Sequence, residues 1–106
     1  MTTFENREEA FEKRFAVDEE LAFKALARRN KLLGLWLAEL LGRPAGEAEA
    51  FASAFVTDNV GISDDALFET IRKALIEANV EMSDNRIRRK MTEALAEARA
   101  ALAAGR

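Results

Sequence analysis

The chain has no cysteine, no histidine and no tyrosine, and only one proline and five glycines among its 106 residues. Without cysteine there is no disulfide, no thiolate nucleophile and none of the common zinc sites. Without histidine, the usual general base and the usual side-chain switch near neutral pH are both missing. No glycine-rich phosphate loop is present, since Gly42 and Gly46 flank Pro44 without the Lys-Ser/Thr that completes such a motif. Long apolar runs are missing too. The greasiest stretch, LLGLWLAELLG at 32–42, is interrupted by Glu39 and falls short of the roughly 20 residues that span a bilayer. The first residues hold no apolar core of the signal-peptide kind, and their glutamates are wrong for a mitochondrial presequence. A net charge of −3 and a pI near 5.1 lack the basic footprint of a dedicated nucleic-acid binder. The expectation is a soluble, cytoplasmic, single-domain protein that neither inserts into a membrane nor binds nucleic acid.

What is present is helix-forming. Ala, Leu, Glu, Arg and Lys dominate, and 49% of the chain is hydrophobic, enough for one modest core. Apolar residues recur at three- and four-residue steps from Leu21 through Ala22, Ala25, Leu26, Leu32, Leu33, Trp36 and Leu37 to Leu40. Asp18, Glu19 and Glu20 supply negative charge suited to the start of that helix, and Gly42 supplies its stop. Pro44 fits the first position of a second helix, with Ala48, Phe51, Ala52, Phe55 and Val56 inward. Asn59 to Gly61 read as a turn. Ser63 caps a third helix carrying Leu67, Phe68, Ile71, Ala74, Leu75 and Ala78. Ser83 caps a fourth, with Ile87, Met91, Ala94, Leu95, Ala98 and Leu102 inward and Gly105 as terminator. The fold class is all-α: a small four-helix bundle over residues 18–106, preceded by a mobile, partly helical amino-terminal arm over residues 1–17.

That arm poses a question of its own. Phe4, Phe11 and Phe15 stand seven and four residues apart, within about 40° of one another on a helix, in an otherwise charged segment. Thr2 with Glu5 matches a capping box, and Glu9 with Lys13 forms an i, i+4 pair, so the arm can become helical. By itself it is near the length at which helices are marginal in water. The rings either pack on this protein's own bundle or dock, as i, i+4, i+7 anchors, in another protein's groove. A membrane-surface role is disfavoured by the arm's acids.

Other candidate chemistry is thin. The carboxylates fall mostly on polar helix faces, with nothing to separate a catalytic pair, and Ser63 and Ser83 are caps without a base to activate them. Two basic clusters remain, Arg28, Arg29 and Lys31 on the first core helix and Arg88, Arg89 and Lys90 on the last. They can be solvated ion-pairing faces or a shared site for an anion such as a nucleotide phosphate. Gly34 reads as a position of close helix approach and Trp36 as core.

The run ENREEAFEKRFAVDEELAFKALARRNKLLGLWLAELLG, with IRRKM near the end, resembles the ζ subunit family of α-proteobacterial F-type ATP synthases, small four-helix inhibitors of the ATPase. The likeness is strongest from Phe4 to Gly42 and across Ile87 to Met91, and weakest between Pro44 and Val80. It implies a regulatory protein, not an enzyme, with no resident cofactor. It implies a partner-binding arm, carried here by Phe4, Glu5, Arg7, Glu8, Phe11, Lys13, Arg14 and Phe15. By the family's example that arm enters a catalytic α/β interface of the ATPase and obstructs the central stalk in the hydrolysis direction. The partners implied are the α, β and central-stalk subunits, and the place is the cytoplasmic side of the membrane-bound synthase, with the free protein a monomer. Two other readings stay open: an anion- or nucleotide-binding helical module built on the basic clusters, and a homo-oligomer joined by the phenylalanine stripe.

Overall fold

A computed structural model of the chain describes the backbone of residues 3–106 and the side chains of residues 17–106. Four helices follow one another: α1 (Thr3–Leu40), α2 (Ala45–Asp58), α3 (Asp64–Glu77) and α4 (Asp84–Ala103), with no strand among the described residues. The all-α, four-helix expectation holds.

Punctuation explains the ends of these elements. Ser63 Oγ accepts from the Ala66 N–H at 3.1 Å and Ser83 Oγ from the Arg86 N–H at 3.2 Å, satisfying donors that a helix start leaves free. Pro44 sits one residue earlier than expected, at the N-cap of α2. At the end of α1, Gly42 takes a φ of 73°, which lets the Arg43 N–H return to the Ala38 carbonyl at 2.9 Å. Asn79 does the same after α3, with φ 58° and a 2.9 Å bond from the Val80 N–H to the Leu75 carbonyl. Asparagine tolerates this left-handed conformation better than most residues with a side chain.

α1 is the spine. α2 runs back along it, so that Gly34 meets Ala52 while Asn30, a turn earlier, reaches toward Asn59. α4 lies along α1 as well, with Lys90 over the Trp36 ring and Leu102 near Phe23 and Arg28. α3 packs on α4. The core joins Leu33 and Leu37 of α1, Phe55 of α2, Leu67, Phe68, Ile71 and Leu75 of α3, and Ile87, Met91 and Ala94 of α4. A large apolar side chain of this kind contributes roughly 1.5–3 kcal/mol when fully buried.

Two expectations are corrected. A helix start was expected at Asp18, whereas α1 runs unbroken from Thr3 through Asp18 to Leu40. Acidic residues favour a helix start, but equally extend a helix already begun, so Asp18 to Glu20 do not by themselves mark a boundary. Leu21, Ala22 and Leu26 were expected inward, yet all three are exposed, Leu21 at 46% and Leu26 at 42%. The reason lies in helix length. α2 ends at Asp58 beside Asn30, and α4 ends at Ala103 beside Leu21 to Ala25, so among the described residues α1 is little covered over 17–24 and on the side of Leu26.

Candidate functional site

Ala25 is the first buried residue of α1 among those described, and the stretch just before it is apolar and open. Val17, Leu21, Phe23 and Leu26 are 52%, 46%, 60% and 42% exposed, and Val60, just beyond α2, is 58% exposed beside Leu26 and Phe23. Phe23, Leu26 and Val60 lie together on one side of α1, whereas Leu21 lies on another, beside Leu102 and Ala103. Isolated exposed apolar residues are ordinary, whereas Phe23, Leu26 and Val60 stand together and make a candidate interaction surface. Sequence periodicity placed Leu21 and Leu26 in the core and overlooked Phe23. Only the lengths of α2 and α4, set against α1, show that the apolar face outruns its cover.

The side chains of Phe4, Glu5, Arg7, Glu8, Phe11, Lys13, Arg14 and Phe15 lie outside the described residues, as do the Thr2–Glu5 capping box and the Glu9–Lys13 pair. The backbone that carries Phe4 through Phe15 belongs to α1.

The basic residues are dispersed in role. Arg29 is buried, 3% exposed, with Nη1 on Asp64 Oδ1 at 2.8 Å and Nε donating to Asn30 Oδ1 at 3.1 Å. Arg88 stacks on the Phe68 ring at 4.0 Å and pairs with Asp65 at 3.0 Å. The structure therefore brings Arg29 and Arg88 to neighbouring aspartates in the first turn of α3, where each cation already has its anion. Arg28 turns elsewhere and donates to the Arg106 carbonyl at 2.6 Å. Lys31 pairs with Glu49 at 2.9 Å, Lys90 lies 5.8 Å over Trp36, and Arg89 is exposed.

A polar network links three elements behind these residues. Asn30 Nδ2 donates to the Asn59 carbonyl at 3.5 Å, Asn59 Nδ2 to the Phe55 carbonyl at 2.7 Å, and Arg29 ties Asn30 to Asp64. Asn30 and Asn59 are both buried. Asn59 read as a turn residue from sequence, and Asn30 carried no signal beyond being polar between Leu26 and Leu33. Their part is to hold the α2–α3 connection against α1.

Among the described residues no group of Asp and Glu could hold a metal ion, and no helix is long and apolar enough to cross a membrane. A family model described as ATPase inhibitor subunit zeta matches residues 1–101. Comparison with curated proteins gives no match.

Proposed function

The chain belongs to the ATPase inhibitor subunit zeta family, and on that premise we propose that it blocks ATP hydrolysis by inserting its amino-terminal arm into a catalytic interface of the F-type ATP synthase. The family makes it a regulatory subunit that associates with ATP synthase and not an enzyme in its own right. The finer reading assigns the insertion to residues 1–17 and the anchoring mass to residues 18–106. The partners are the α, β and central-stalk subunits, reached from the cytoplasmic face of the membrane-bound enzyme.

One observation carries this. α1 continues from Thr3 into the bundle without a break, so arm and carrier share one rod. At 1.5 Å per residue, about 33 Å of helix precedes Ala25, long enough to reach deep into a cleft between two subunits. The stretch from Ala25 to Ala38 is gripped by α2 and α4, which gives the rod a mass that cannot follow it inward. A helix entering a desolvated groove is held by apolar anchors, while flanking charges govern approach and register. Phe4, Phe11 and Phe15 are the anchors, and Glu5, Arg7, Glu8, Lys13 and Arg14 the flanking charges. The exposed Leu21, Phe23 and Leu26 lie on the same rod and would meet the mouth of the cleft.

The test is ATP hydrolysis by the cognate synthase, titrated with full-length protein. Phe11→Ala and Phe15→Ala should each weaken inhibition roughly ten- to a hundredfold, as loss of a central anchor does. Glu8→Ala and Lys13→Ala should act mainly on the rate of onset. Inhibition that survives the double phenylalanine change would place the active surface on the bundle. A wild-type protein that never inhibits would sink the reading.

A further inference from the structure

Above the middle of α1 lies a groove of about 520 Å³, open to solvent between α2 and α4. Its apolar lining comes from Phe23, Ala27 and Leu35 of α1, Val56 of α2 and Leu102 of α4. Three cations, Lys24, Arg28 and Lys31, also line it, and no carboxylate does. In a chain of net charge −3 this is a local excess of the opposite sign. The acids nearest these cations sit outside the groove. Glu20 holds Lys24 at 3.1 Å and Glu49 holds Lys31 at 2.9 Å, both carboxylates well exposed, while Arg28 spends one N–H on a backbone carbonyl. Exposed pairs of this kind contribute little and exchange readily for better partners.

We propose that the groove receives the amino-terminal arm of a second copy of this chain. The occupant it suits is an amphipathic helix with apolar anchors along one face and acids flanking them. The chain itself contains one. Residues 1–16 hold Phe4, Phe11 and Phe15 together with Glu5, Glu8, Glu9 and Glu12, against Arg7, Lys13 and Arg14. The arm cannot serve its own groove while α1 is unbroken, because Phe23, Ala27 and Leu35 lie further along the same rod. The contact must therefore form between copies. Rings would seat against Phe23, Val56 and Leu102, and glutamates would replace Glu20 and Glu49 as partners of the cations. The protein is then a monomer when dilute and self-associated when concentrated. If the arm is also the inhibitory element, association sequesters it; that consequence rests on the function proposed above, but the association does not.

Sedimentation of the full chain from micromolar to millimolar concentration tests this. The wild type should gain mass as concentration rises. An arm variant, Phe11→Ala with Phe15→Ala, and a groove variant, Phe23→Glu with Arg28→Glu, should each stay monomeric. The groove variant changes no buried residue of the core. Mixed in equal amounts, the two should associate again, since one supplies an intact groove and the other an intact arm; misfolding of either would not be repaired by mixing. A synthetic peptide of residues 1–16 should shift the NMR signals of Ala27, Leu35, Val56 and Leu102 in the arm variant, and its dissociation constant should rise at least about tenfold for the groove variant. A wild type that stays monomeric throughout, a mixture that fails to associate, or a peptide that moves none of these signals overturns the proposal. Signals that move only when the catalytic sector of the synthase is added give the groove to that partner, and signals that move only with anionic lipid vesicles give it to a membrane. Loss of inhibition in the hydrolysis assay leaves the sedimentation result untouched, so the two readings fail separately.

Discussion

At Gly34 the spacing of two helices is set by a missing methyl group. A Cβ built there would stand 2.8 Å from the Ala52 Cα and 3.1 Å from the Phe55 Cβ, and the first of these is backbone that cannot swing aside. Glycine inside a helix costs up to about 1 kcal/mol against alanine, so Gly34→Ala would stabilise an isolated helix. In this bundle the clash outweighs that gain. Overpacking of this kind costs about 1–3 kcal/mol, and thermal melting should show a net fall of several degrees. Arg29 offers the opposite lesson, a charge that packs as core. Arg29→Met keeps much of the buried stem but leaves Asn30 Oδ1 without its donor, at an expected cost of about 1–2 kcal/mol in urea unfolding. Lys31→Ala, which removes only an exposed pair with Glu49, should cost under about 1 kcal/mol. Equal costs would mean that the Arg29–Asn30–Asn59 network contributes nothing particular.

Among the elements, α1 is exceptional, because its 38 residues run well beyond the helices that cover it. From Ala25 on, apart from Leu26, its apolar stripe is largely covered; over residues 17–24 it stands exposed. Glu19→Pro separates the covered part of α1 from the residues before it. Proline at an exposed interior position removes one backbone hydrogen bond and clashes with the carbonyl four residues back, so it kinks or breaks the rod there. The bundle begins six residues later, so its melting free energy should change by less than about 1 kcal/mol. Inhibition should weaken by about tenfold or more, because the arm no longer arrives in a fixed direction. Undiminished inhibition would show that continuity of α1 does not matter and that the arm acts as a tether. The shorter helices make no comparable demand. α3 and α4 begin at serine caps and carry clear apolar faces, and their ends were legible because capping chemistry is local.

For the whole molecule, the missing histidine predicts what does not happen. No side chain titrates ordinarily between about pH 6 and 8, so the melting temperature should be flat across that window. A marked slope in thermal melts would reveal a group perturbed by its surroundings. The sequence by itself determined the helical class, most of the apolar faces, the serine caps and the Gly34 approach. Each of these is written in residue type and spacing along one segment. It also carried, through its likeness to a family, the inhibitor role. Tertiary structure alone decided where α1 is covered and where it is bare, because that depends on how far α2 and α4 reach along it. Two short helices of different reach leave Leu21, Phe23 and Leu26, expected core or unremarked residues, exposed. Pairing decided the cations in the same way. Arg29 and Arg88 are drawn to Asp64 and Asp65 because α3 brings its first turn to both, a meeting between residues 23 and 35 positions apart that no local pattern encodes.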